Sequence, residues 1–168
     1  MFLYKSIIET KIGKMITLGD HESLYLLVFL DDPNLNKKIL KIEKEFGAKI
    51  IEGKSKPINF ISEELALYFE GNLKIFKTNL KFFGTIFQIK VWNELLKISY
   101  GSKVSYLEIA KRICNSNFSR AVGNANAFNN FFIIVPCHRV IKSNNEIGNY
   151  GGGINRKIWL LAQEENNK

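Results

Sequence analysis

The chain has 168 residues, of which 46% are hydrophobic and 24% charged, and a formal net charge of +8. These values fit a folded globular protein of one large or two small domains and exclude a disordered or fibrous chain. No apolar run reaches membrane-spanning length, and no basic segment, apolar core and cleavage site open the chain, so no membrane association is expected. The positive balance suits a phosphate-rich partner, although a general abundance of lysine would give the same sum.

Residues 2–10, 14–18 and 23–30 read as three strands, punctuated by Gly13 and by the turn Gly19-Asp20-His21-Glu22. The third is unbroken and apolar, as a central strand would be, and the three together suggest an antiparallel meander. Asn34 or Asn36 can cap a helix whose stripe is Ile39, Leu40, Ile42 and Phe46, closed by Gly47. Residues 48–52 return as an edge strand, and a second helix runs from about residue 60 to 69. Nothing before residue 75 carries a motif for chemistry. The fold class read from these elements is α+β: a small N-terminal α/β scaffold domain with an antiparallel sheet (1–75), then a mostly helical domain (76–168). Residues 73–82 read as the link between them.

Thr85 with Gln88, and Ser105 with Glu108, have the spacing of capping boxes and open two helices. Ile86, Ile89, Trp92, Leu95 and Leu96 fall on one face of the first; Leu107, Ala110 and Ile113 form the inner face of the second. Cys114 closes it and reads as structural. After the turn Asn115-Ser116-Asn117, a third helix runs from about residue 118 to 127, which gives the rhythm of a helix-turn-helix. Its centre, Ala121-Val122-Gly123-Asn124-Ala125, is small enough to lie close to another surface, and Arg120 is its one long cation. A plain helical hairpin packed in a core would read the same way.

The chain is organised around residues 131–141. Phe131 to Val135 is aromatic or β-branched and reads as a strand buried on both faces. Pro136 ends it, and Cys137, His138 and Arg139 follow. A thiolate is a nucleophile, neighbouring positive charge favours it, and a histidine can serve as its base. Adjacent side chains on extended chain point apart, so contact between Cys137 and His138 needs a turn or a bridging water. A lone cysteine is more commonly a small buried hydrophobe. Only two cysteines and two histidines are present, which gives no disulfide framework, a reducing cytoplasmic setting and no zinc site. Residues 146–153 form a Gly-rich loop around Tyr150. A last helix starts near residue 155 with Ile158, Leu161 and Ala162 inward.

The segment Ile134-Val135-Pro136-Cys137-His138-Arg139-Val140-Ile141 resembles the active-site signature of the O6-alkylguanine-DNA alkyltransferases, the methylated-DNA–protein-cysteine methyltransferases. The likeness extends from about Phe83 to Glu164. It implies an RNase H-like N-terminal domain, a helix-turn-helix that enters duplex DNA, and irreversible transfer of the alkyl group of O6-alkylguanine to Cys137, with O4-alkylthymine as an alternative substrate. By the resemblance, Arg120 takes the place of the flipped base, beside Ser119, Ala121 and Gly123, and Tyr106 sits by the rotated phosphate and donates toward the guanine. Asn129 ties the turn to the cysteine segment, and Glu164 orients His138. Val140, Tyr150, Gly151, Gly152 and Lys157 bound the substrate pocket. Asn130 stands where the family pattern has proline, which predicts looser backbone. No cofactor, no metal and a monomer are implied, in the cytoplasm or in a eukaryotic nucleus. A non-catalytic damage binder and a thiol hydrolase are the alternatives. The first would not need Cys137, and the second would turn over repeatedly.

Overall fold

Strand β1 (Phe2–Thr10) and strand β2 (Gly13–Gly19) form an antiparallel hairpin, in which the Thr10 hydroxyl donates to the Gly13 carbonyl at 2.6 Å. The computed structural model describes residues 1–168 and divides into two compact units, Met1–Phe82 and Phe83–Lys168. None of its helices is long and apolar enough to cross a membrane.

In the first unit β3 (Leu24–Phe29) pairs antiparallel with β2, and all six of its residues are buried. Its apolar run predicts a central strand, yet the sheet order is β3-β2-β1-β4, with β3 at one end. Its burial comes partly from chain laid along that edge. The Leu24 N–H donates to Asn79 O (2.9 Å), and the Lys81 N–H donates to Leu24 O (2.8 Å). Covering an edge in this way removes unpaired backbone groups. Helix α1 (Leu35–Phe46) ends on Gly47, whose φ of 57° is left-handed as a C-terminal stop requires. It leads to β4 (Lys49–Glu52), which pairs parallel to β1. The sheet is therefore mixed and not purely antiparallel. Strands running the same way cannot be joined by a hairpin, and α1 makes the crossover.

Helix α2 (Lys56–Phe69) starts earlier than residue 60, because Pro57 fits the first turn of a helix, where no N–H partner is needed. Its Glu64 is 4% exposed. That carboxylate accepts the Lys77 N–H (2.6 Å), the Thr78 N–H (3.1 Å) and the Thr78 hydroxyl (2.6 Å). Residues 73–82 are thus not a link. They belong to the first unit, and the division falls after Phe82 instead of residue 75. The buried carboxylate of Glu64 anchors this backbone segment.

In the second unit α3 (Ile86–Leu95) opens on a complete capping box from Thr85 and Gln88. It buries Val91, Trp92 and Leu95 while Ile86 is 78% exposed, so the inner face is rotated from the predicted one. Helix α4 (Tyr106–Ile113) is capped by Ser105 and buries Ile109 and Ala110. Cys114 ends it but is exposed, so it has no packing role. After a 3-10 turn, helix α5 (Ser119–Ala127) completes the helix-turn-helix. Trp92 Nε1 donates to Ala125 O at 3.0 Å and joins α3 to α5. Strands β5 (Val104–Ser105) and β6 (Val140–Ile141) form a two-residue parallel ladder, and α6 (Ile154–Asn166) closes the chain.

Candidate active site

Residues 131–141 are buried without exception, but residues 131–135 are a turn and not a strand. Ile133 has φ 73°, a left-handed conformation that a β-branched residue rarely takes. It lets the chain double back, so that the Val135 N–H reaches Phe131 O at 2.9 Å. Asn129 substitutes for the missing ladder. Its Oδ1 accepts the Phe131 N–H (2.9 Å), and its Nδ2 donates to Val135 O (2.9 Å) and lies 3.2 Å from Cys137 Sγ. Pro136, at φ −81° and ψ 59°, is the centre of an inverse γ-turn closed by Cys137 N–H to Val135 O (2.8 Å). Cys137, His138 and Arg139 then form one 3-10 turn. The bend needed to direct the thiol and the imidazole is therefore in the backbone.

Cys137 opens onto a cavity of about 540 Å³. The helix pair contributes Tyr106, Ser119, Arg120 and Gly123 to its walls, and the Gly-rich loop contributes Tyr150 and Gly151. A Cβ on Gly151 would lie 2.9 Å from Phe132, so this loop approaches closer than any other residue would allow. Val140, Gly152 and Lys157, predicted to bound the pocket, do not line the cavity. Asn124, Asn126 and Ala127 do, as do Lys142 and Asn149, none of them predicted. The first three were readable: they repeat Ser119, Arg120 and Gly123 at helical spacing. Lys142 and Asn149 left no such signal.

Behind the thiol lies a buried ionic layer. Glu164 and His138 have fully buried side chains. The carboxylate accepts from Arg139 Nε (2.8 Å) and Nη2 (2.9 Å) and from the Gly101 N–H (3.1 Å). Arg139 also donates to Ile98 O at 2.7 Å. Burial raises the Glu164 pKa, but the bonds and charges of His138 and Arg139 reverse this and hold the carboxyl far below the usual range. An ionised carboxylate only accepts, so His138 Nε2 is the donor in their 2.7 Å bond. Nδ1 then carries the lone pair, and it has no hydrogen-bond partner in the protein. Burial, together with the positive charges of Arg139 and Lys157, lowers the His138 pKa against the pull of Glu164, which favours the neutral ring. The inner face of α6 is thus Lys157, Leu160 and Glu164, whereas Ile158 and Ala162 face outward. The periodicity misled because two charged residues on this helix are the buried ones.

Lys157 donates to Val140 O (2.6 Å) and Asn149 O (3.1 Å) and stands over the Tyr106 ring, 5.7 Å from its centroid. Burial lowers its pKa to about 8, against the opposing influence of Cys137. Tyr106 is pushed up to about 12 by burial and by Cys137, so its phenol holds its proton. A base with a depressed native pKa leaves the unfolded chain holding more protons between the two values, and stability rises with pH there. Wild type should therefore gain stability relative to Lys157→Met as the pH rises from about 8 toward 10.5. Urea unfolding at both ends of that interval measures this, and a constant difference would show that Lys157 titrates normally.

The second unit has the architecture of a DNA-binding domain: the 6-O-methylguanine DNA methyltransferase, DNA binding domain, matches residues 86–166. A methylated-DNA–protein-cysteine methyltransferase of Methanosarcina mazei is 41% identical over 98% of this chain and 99% of its own. One from Mycobacterium tuberculosis is 50% identical over 61% of this chain and 62% of its own. The crystal structure of the Mycobacterium tuberculosis O6-methylguanine methyltransferase covers 99% of this chain and 94% of its own, with TM-score 0.84 and 36% identity. The crystal structure of Mycobacterium tuberculosis OGT in complex with DNA gives 0.83 and 35% over the same shares. The chain belongs to the methylated-DNA–protein-cysteine methyltransferase family.

Proposed function

We propose that this protein repairs DNA by direct reversal, moving the alkyl group of O6-alkylguanine in duplex DNA irreversibly to Cys137, as a monomer and without a cofactor. The observation that carries the reading is one cavity holding the Cys137 thiol, Tyr106 and Arg120, backed by the His138–Glu164–Arg139 layer. The helix-turn-helix binds the duplex, and Gly123 lets α5 lie close to it. The damaged base leaves the stack, at a cost of a few kcal/mol, and Arg120 occupies the gap.

His138 Nδ1, through a bridging water, takes the thiol proton, and the imidazolium is stabilised by Glu164. The thiolate attacks the alkyl carbon in line. The S–C bond forms as the C–O6 bond breaks, and the electron pair leaves with guanine. Tyr106 donates a proton to the departing ring and is refilled from solvent. The proton held by His138 returns to water, so the thiol's proton is balanced by the one guanine gains. Lys157 offsets negative charge beside the thiolate. The product is a thioether with no carbonyl for water to attack, so each molecule reacts once.

The test is the intact mass of the protein after mixing with a duplex carrying one O6-methylguanine. A stoichiometric gain of one methylene, mapped to Cys137, supports the reading. Tight binding without a mass change identifies a damage binder, and repeated turnover of ester substrates identifies a thiol hydrolase.

A further inference from the structure

Lys142 lines the cavity that holds Cys137, yet its side chain is 55% exposed, which puts it at the mouth. Strand β6 delivers it there. Ser105 stands opposite Ile141 in the parallel ladder, so Tyr106 and Lys142 leave the ladder side by side. Gly148, at φ 74°, lies against both: a Cβ there would be 3.4 Å from the Tyr106 ring and 3.5 Å from Lys142 Cγ. The turn that follows is fixed by other groups. The Lys142 N–H donates to Glu146 O (2.9 Å), the Asn145 N–H donates to Lys142 O (3.0 Å), and Asn145 takes φ 68°. Asn144 Oδ1 accepts the Glu146 N–H (3.1 Å). The Lys142 ammonium and the Glu146 carboxylate are not needed for any of these bonds, and they meet each other at 2.6 Å.

Charge decides what such a mouth receives. Arg120 and Lys142 are the long cations among the lining residues, and no carboxylate lines the cavity. A base inside the cavity stays tied through its sugar to two phosphates, and these must rest at the mouth. Phosphate contacts position a nucleic acid without reading its sequence, and lysine offers them a compact charge on a flexible stem. The Lys142–Glu146 pair is exposed on both sides. Pairs of this kind contribute little to a fold, so little stability is lost when one opens. We propose that Lys142 binds a phosphate flanking the extruded nucleotide, and that Glu146 is the counter-ion it exchanges for that phosphate. Glu146 therefore competes with DNA for the cation and weakens its grip. This rests on the alkyl-transfer reading above.

The test is equilibrium binding of a duplex carrying O6-methylguanine, repeated across a range of salt. Cys137→Ser is the background, so that binding is not followed by transfer. K142M should weaken binding about threefold to fivefold and make the slope of log K against log salt shallower by about 0.9, the value of one lost phosphate contact. K142R should restore the slope. E146Q should tighten binding about threefold, and this gain should vanish when K142M is combined with it. A gain that came only from net charge would survive there. Replacing one of the two phosphates that flank the lesion by an uncharged methylphosphonate should weaken binding by about the same factor as K142M, and the two losses should not add. An unchanged slope in K142M, an E146Q gain that persists in the double variant, or losses that add at both flanking positions overturns the proposal and leaves the pair a surface contact of the turn. Absence of a mass gain on Cys137 in the wild-type protein overturns the alkyl-transfer reading instead.

Discussion

Cys137→Ser is expected to abolish methyl transfer while lesion-bearing duplex is still bound within a few-fold of wild type. The two residues differ by one atom, and the cavity keeps its shape. The difference is chemical. A hydroxyl is far harder to ionise than a thiol, and the neutral His138 behind it is a modest base. Loss of a nucleophile of this kind costs on the order of 10⁴-fold or more. Binding is spared because the helix pair, and not the sulfur, supplies most of the cavity wall, including Arg120 and Tyr106. Single-turnover transfer of a labelled methyl group and electrophoretic shift of the same duplex measure the two quantities. Transfer within tenfold of wild type would place the acceptor elsewhere, and Cys114 is the other thiol.

Glu164→Gln should destabilise the fold by about 3–5 kcal/mol, the typical result of removing one partner of a buried ion pair. The loss is large because the Arg139 side chain, 7% exposed, would keep its charge without a counter-ion. Transfer should also weaken, since a neutral amide does little to stabilise the imidazolium formed when His138 takes a proton. The pH dependence follows from the sign of the shift. A carboxyl held below its ordinary value contributes stability that is complete above the unfolded pKa of 4.5 and is lost as the pH falls through the folded value. The gap between wild type and Glu164→Gln should be full at pH 7 and narrow below about pH 4. Urea unfolding across that range tests it, and a gap of equal size at pH 7 and pH 3 would refute the assignment.

Local rules carried most of the reading from sequence. The capping box at Thr85, the stop at Gly47 and the helix-turn-helix spacing are fixed by nearby residues, and each formed where predicted. Hydrophobic periodicity by itself misses buried charge, and only the family resemblance places Glu164 and Lys157 at the site. Glu64, Lys157 and Glu164 are charged, so a hydrophobic pattern assigns them to solvent, yet all three are buried with specific partners. Their partners lie far along the chain, and no window of sequence shows them. The apolar run at Phe131 failed differently. Its β propensity is real, but the Asn129 amide and the left-handed Ile133 close it into a turn. The thiol itself was legible because proline, cysteine and histidine are consecutive. Lys142 and Asn149 were not, because they reach the cavity only through the path of the loop that carries them.

The ladder between β5 and β6 is only two residues long, with Val104 opposite Val140 and Ser105 opposite Ile141. Tyr106 follows one strand directly, and the turn carrying Cys137 precedes the other. The nucleophile and the first residue of the DNA-facing helix pair are therefore mounted on a single rigid joint. A force exerted by the duplex on α4 would reach the thiol as a displacement of the whole joint and would not distort it, so gripping DNA and aiming sulfur become one mechanical act.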